Sequence, residues 1–156
     1  MKIAQEYSHL NGKEYLLVHH KKTLKEIYEV VKSIDAKKHK TKLSQERTKK
    51  GNFLYNPASL NKEFKDLLYA KGWEERRRDF FVSTDPNIVK LLEPLDFADQ
   101  KKLLQELNHP LYDSYNQTDF VKNKIAVEVQ LGKYFAVTYD LFVKHLSFYS
   151  GQIIDV

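Results

Sequence analysis

Lys124-Ile-Ala-Val-Glu128-Val-Gln130-Leu131 is the stretch that decides the fold. Ile125, Val127, Val129 and Leu131 point one way, and Ala126, Glu128 and Gln130 point the other. That alternation is the period of a β-strand, and the residue types are β-prone. A carboxylate and a carboxamide therefore share one face of the strand. Asp119 stands a short connection upstream, where a neighbouring element can bring it alongside. Two carboxylates held at about 4 Å repel by roughly 4 kcal/mol at an effective dielectric near 20. A divalent cation relieves that repulsion, and magnesium favours one or two carboxylates completed by water. Asp119, Glu128 and Gln130 thus outline a metal-dependent phosphodiesterase site. The same pattern also describes a strand whose polar face simply meets solvent.

Working outward, the chain reads as alternating helices and strands. Asn11-Gly12 between apolar runs predicts a hairpin with strands over residues 3–10 and 13–19. Residues 23–34 form a helical pattern with Leu24, Ile27, Tyr28 and Val31 on one face. Asn56-Pro57 is a helix start, with Leu60, Phe64, Leu67 and Leu68 directed inward and a stop near Gly72. Residues 73–83 predict a strand containing Arg76-Arg77-Arg78, which is expected to be solvated. Trp73 is expected in the core. Asp85-Pro86 opens a short helix through Leu92, and residues 96–107 form another. Residues 134–149 predict a long helix with Leu141, Phe142, Val143, Leu146, Phe148 and Tyr149 covering more than a narrow stripe. Such a helix is buried, or is shared between the core and a partner. His145 reads as a packed or interface residue rather than a catalyst. Gln152-Ile-Ile-Asp-Val156 begins an apolar strand pattern. That is expected of a short terminal strand, or of a domain lacking C-terminal elements.

The length of 156 residues suits a single domain spanning residues 1–156 with a real core. With 42% hydrophobic residues, the chain is not disordered by composition. The absence of cysteine excludes disulfides and thiolate zinc sites. No apolar run is long enough to cross a bilayer, and the first residues lack a signal-peptide core. Together these features predict a cytoplasmic protein without membrane association. The formal net charge is +5. Lys37, Lys38, Lys40, Lys42, Arg47, Lys49 and Lys50 cluster with only Glu46 opposing them. This stretch is either a solvated loop or an arm that contacts a nucleic-acid backbone. Such an arm would set affinity and carry no sequence information.

The segment from Ser114-Tyr-Asn-Gln-Thr-Asp119 through Glu128-Val-Gln-Leu-Gly-Lys133, followed by Tyr139-Asp-Leu-Phe-Val-Lys-His-Leu-Ser-Phe-Tyr149, resembles the BglII/BstYI family of type II restriction endonucleases. The resemblance is especially to the BstYI branch. Tyr7-Ser-His-Leu-Asn-Gly12, Val31-Lys-Ser-Ile-Asp-Ala36 and Ala70-Lys-Gly-Trp73 are similar to the same branch, so the likeness covers nearly the whole chain. It implies the α/β fold of the PD-(D/E)xK nucleases, a mixed sheet flanked by helices. It also implies a homodimer that hydrolyses double-stranded DNA with magnesium at a palindrome containing GATC. By the resemblance, Asp119 and Glu128 are the metal-binding acids. Gln130 completes the catalytic set, at a position the wider superfamily usually gives to lysine. Lys133 matches a position that reaches the DNA, and a lysine there can donate to guanine O6 or N7. The helix over 134–149 matches one at or near the dimer interface. Two further readings stand beside the enzyme. One is an inactive remnant that dimerises or binds DNA loosely, and the other is a small α/β interaction module.

Overall fold

The computed structural model describes residues 1–132 and 135–156. The chain divides into two compact units, Met1–Trp73 and Glu74–Val156. α and β elements mix along it as expected, and the strand pairs are antiparallel.

The first unit begins with a departure from expectation. The left-handed residues are Leu10 and Asn11, with φ of 48° and 59°, and not the Asn11-Gly12 pair that a two-residue hairpin would use. The turn leads into a helix, α1 (Gly12–His19), not into a strand. Residues 13–19 hold Lys, Glu and Leu, which favour helix, and they do not alternate cleanly. Ser8 secures the helix start: its hydroxyl donates to Glu14 Oε2 and accepts from the Lys13 N–H at 3.3 Å. α2 (Lys21–Ser33) buries Thr23, Leu24 and Val30, with Ile34 buried just beyond its end. It packs on α3 (Pro57–Tyr69), which buries Leu60, Phe64 and Leu68. Each such side chain contributes about 1.5–3 kcal/mol on leaving water. Asn56 caps α3 by accepting from the Ala58 and Ser59 N–H groups at 3.1 and 3.3 Å. Trp73 is 1% exposed, as the core reading expects.

The basic stretch is more ordered than a loop. Ala36–His39 form a turn of 3-10 helix, capped by Asp35, which accepts from the Lys37 N–H at 3.1 Å. β1 (Lys42–Leu43) then pairs with β2 (Phe53–Leu54). His39 ties this hairpin to α3. Its Nδ1 lies 2.6 Å from Ser59 Oγ, its Nε2 meets Glu63, and its carbonyl accepts from the Asn56 N–H at 2.8 Å. These long-range partners were not visible as a local pattern.

In the second unit β4 (Tyr112–Lys122) lies between β3 (Glu74–Val82) and β5 (Ile125–Val127). A tight hairpin stands at Asn123-Lys124, with φ of 51° and 61°, between the paired residues Lys122 and Ile125. Both central residues have positive φ, as the favoured two-residue turn requires. The strand expected over 124–131 is shorter than its alternation suggested, because β5 ends at Val127. On its other edge β5 meets the last residues of the chain. Ala126 N–H donates to Val156 O and Asp155 N–H to Lys124 O, both at 2.7 Å. Ile154 is buried there with Val121 and Phe148.

Two short helices, α4 (Pro86–Leu92) and α5 (Phe97–Glu106), start at the expected caps Asp85 and Asp96. Phe81, Leu92 and Leu104 form a core beneath them. Gln100 is buried but satisfied: it accepts from Phe81 N–H at 2.8 Å and donates to Leu92 O at 2.9 Å and Leu95 O at 3.1 Å. The chain then runs through α6 (Ala136–Tyr139), a π-helical segment (Asp140–His145) and α7 (Leu146–Ser150). These three form the C-terminal helix. Only part of the expected apolar set is buried in it. Phe148 is 0% exposed, whereas Leu141, Phe142, Val143, Leu146 and Tyr149 are exposed.

Arg78 departs from the solvated reading. Its guanidinium donates to Ser147 O and, at 3.0 Å, to Ser147 Oγ, pinning β3 to the C-terminal helix. Burial lowers its pKa. A Cβ at Gly151 would stand 2.9 Å from Arg78 Cζ, so glycine there leaves room for the guanidinium.

Candidate active site

β4 carries Asp119, and the register Phe120↔Val127 continued by one residue sets Asp119 opposite Glu128. Cross-strand neighbours share a face. The hairpin at Asn123-Lys124 is therefore what unites the acids, and Glu128 and Gln130 lie on the extended chain just beyond β5. Backbone groups hold both carboxylates. Glu128 Oε1 accepts from the Asp119 N–H at 3.0 Å, and Asp119 Oδ2 accepts from the Val129 N–H at 3.1 Å.

Around them lies a set of polar side chains, of which pattern reading assigned only Gln130 to the site. Thr118, 0% exposed, donates its hydroxyl to Glu128 Oε1. Lys144 Nζ lies 2.8 Å from Glu128 Oε1 and 2.8 Å from Asp140 Oδ1. Gln130 donates its amide to Asp140 Oδ2. His145, read as a packing residue, lies with Nε2 3.5 Å from Glu128 Oε1 and 3.3 Å from Thr118 Oγ1. Tyr139 donates to Asn116 Oδ1 at 3.1 Å. The signal that could have found Lys144 and Asp140 is their spacing of four in an otherwise apolar helix. Two opposite charges there form an i,i+4 pair on one face.

Electrostatics separate the two acids. Burial raises the Asp119 pKa, and the adjacent Glu128 charge raises it further against the opposing Val129 N–H. Burial also pushes Glu128 upward, but hydrogen bonds from His145, Lys144 and Thr118 outweigh it and hold Glu128 at about 2. Burial lowers the Lys144 pKa, and the bonds to Asp140 and Glu128 reverse that, leaving it raised overall. So Glu128 is held ionised, while the Asp119 pKa stays raised because burial and the nearby Glu128 outweigh the Val129 N–H and Lys144.

Among the described residues, no group of three or more His, Cys, Asp or Glu side chains is arranged to hold a metal ion. Magnesium needs fewer. Two carboxylates in one half-buried place, one of them raised by its neighbour, match a hard cation that keeps several waters and takes substrate oxygens. The donor set fits that ion and does not fit a protein-saturated zinc site.

The remaining expected site residues fall elsewhere. Lys37, Lys38, Lys40 and Lys42 are exposed in the first unit. Lys133 lies outside the described residues. A cavity of about 330 Å³ in the second unit is lined by Phe80, Val89, Phe142 and Leu146 with Arg78, and Asp119, Glu128 and Gln130 do not line it. No described helix is long and apolar enough to cross a membrane.

Comparison with curated proteins gave no match. A protein-family model described as restriction endonuclease BglII/BglIII matches residues 4–156.

Proposed function

The chain belongs to the restriction endonuclease BglII/BglIII family, and from that premise we propose that it is a magnesium-dependent type II enzyme cutting double-stranded DNA at a palindrome containing GATC. The observation that carries this reading is the Asp119–Glu128 pair, brought together by a hairpin and half-buried, with Asp119 raised by burial and by its neighbour.

Asp119 and Glu128 would hold the ion. When bound, magnesium polarises a phosphoryl oxygen, lowers the pKa of a bound water and offsets developing negative charge. The residues of the chain do the rest. Thr118 and the Asp119 N–H aim Glu128. Gln130 is neutral and cannot act as a base at neutral pH. Its amide donates to Asp140, and its carbonyl oxygen would serve as the acceptor that orients the attacking water. Lys37, Lys38, Lys40 and Lys42 would contact phosphates, and Lys133 would contact a base edge.

The same reading includes a homodimer. Leu141, Phe142, Val143, Leu146 and Tyr149 are 46%, 56%, 48%, 56% and 60% exposed on one short helix. Apolar exposure of that density marks an interaction surface. A palindromic site is read by two copies related by a two-fold axis. Digestion of a fully sequenced plasmid tests the specificity. Fragment ends should all map to GATC-containing palindromes, and cuts at sites lacking GATC would contradict the assignment.

A further inference from the structure

Lys144 is not required by the reaction scheme above, yet it is the cation nearest the acid pair among the described ion pairs. Its side chain is 11% exposed, that of Glu128 is 10% and that of Asp140 is 7%. The four side chains form a connected path: Glu128 Oε1 to Lys144 Nζ, Lys144 Nζ to Asp140 Oδ1, and Asp140 Oδ2 to the Gln130 amide. We propose that Lys144 and Asp140 are positioning residues, Lys144 as the built-in counter-cation of Glu128 and Asp140 as the anchor that aims the Gln130 carboxamide. The proposal rests on the nuclease reading of the site.

Stability alone does not account for such a set. Buried ion pairs exchanged for apolar side chains of similar volume are often as stable or more so. The C-terminal helix has apolar residues to spare, and they are turned outward while Asp140 and Lys144 are turned inward. The cost of burying these charges is met by their partners, and those partners are the candidate catalytic groups. Both belong to a π-helical segment, a local widening that is frequent at functional sites.

The charge balance gives the arrangement a purpose. Asp119, Glu128 and Asp140 with Lys144 formally carry two negative charges in excess, which a divalent cation cancels. Without Lys144 the excess would be three. A tighter grip on the ion would follow, with Glu128 losing one of the partners that hold it and Asp140 free to turn away from Gln130. Lys144 therefore sets the affinity of the site for its cation and keeps the two catalytic side chains in register. Those effects pull metal binding and turnover in opposite directions, which a purely structural lysine would not do.

The test uses the full chain and two readouts: magnesium affinity by calorimetry without DNA, and single-turnover cleavage of a GATC duplex at saturating magnesium. For Lys144→Met the expected result is magnesium binding about tenfold tighter, from removal of a like charge. Cleavage should be slower by roughly 100-fold, with DNA affinity within about threefold of wild type. Lys144→Gln carries the same comparison if the methionine variant does not fold. The chain has no cysteine, so Lys144→Cys can be alkylated at that one thiol with 2-bromoethylamine. That restores an ammonium on a side chain of lysine length, and both readouts should return toward wild type. Unchanged magnesium affinity in a folded variant overturns the proposal, as does a cleavage rate within about threefold of wild type. If wild type itself cuts no DNA, the nuclease reading fails, and the calorimetric arm alone still decides for or against Lys144.

Discussion

α3 and the C-terminal helix bury side chains at the same spacing and with opposite chemistry. α3 turns Leu60, Phe64 and Leu68 inward and leaves Asn61, Lys62 and Asp66 exposed. The C-terminal helix turns Asp140, Lys144 and Phe148 inward and leaves Leu141, Phe142, Val143, Leu146 and Tyr149 exposed. The first is an ordinary amphipathic helix, whose burial contributes stability. The second is inverted over most of its length. Its inner face serves the acid pair, and its outer face is apolar enough to call for another surface. A spacing of four therefore describes the buried stripe of both helices without saying which stripe is buried. Which chemistry that stripe carries depends on what it packs against.

The largest effect that can sharpen this contrast comes from the acids served by the inverted helix. Asp119→Asn should reduce cleavage by roughly 1000-fold, about 4 kcal/mol of barrier. It should also raise the melting temperature of the metal-free protein by a few degrees, since it removes a carboxylate whose ionisation is opposed by burial and by Glu128. Loss of activity with gain of stability separates a functional residue from a structural one.

Phe64→Ala in α3 should cost about 3–5 kcal/mol in denaturant unfolding, whereas Leu146→Glu on the outer face of the C-terminal helix should leave unfolding of the monomer within about 0.5 kcal/mol. The glutamate should instead abolish self-association in sedimentation and lower cleavage through loss of the dimer. A large fall in monomer stability with Leu146→Glu would break the contrast between the two helices.

A smaller effect concerns acid stability. Glu128 is depressed from 4.5 to about 2. A carboxylate depressed by folding contributes stability that is complete above its unfolded pKa and is lost as pH falls through the folded one. Unfolding free energy should therefore drop between about pH 4.5 and 2, and Glu128→Gln should flatten that limb. Asp119, raised by folding, acts with the opposite sign: its contribution is full below its usual 3.8 and declines as pH rises through its folded value. Asp119→Asn should accordingly steepen the net acid loss. The smallest effect is at the start of α3, where Asn56→Ala should cost about 1 kcal/mol and leave cleavage unchanged.

These differences also mark what the residues disclosed in advance. Asn56-Pro57, Asp85-Pro86 and Asp96 announced three helix starts, because capping is local chemistry between a side chain and the next few N–H groups. Asp119 did arrive on the neighbouring strand, while Glu128 and Gln130 lie past the end of β5, where the alternation over 124–131 no longer describes a strand. The hairpin stands at a different Asn turn from the one expected. Asn11-Gly12 starts a helix, because residues 13–19 find no strand partner and favour helix, while Asn123-Lys124 makes the hairpin. Lys144 and Asp140 were hidden for a different reason. Charged residues on a helix read as its solvent face unless their partners, here 16 and 10 residues away at Glu128 and Gln130, are known. Arg78 and His39 follow the same rule, each fixed by a distant group that no local window contains.

The most direct test of the central claim is a magnesium titration of duplex cleavage by wild type beside Glu128→Ala, with DNA binding followed in parallel. Wild type should cut both strands of a GATC duplex in a magnesium-dependent manner. Glu128→Ala should bind the duplex and leave it intact. A folded, DNA-bound wild type that cuts nothing at any magnesium concentration would contradict that claim.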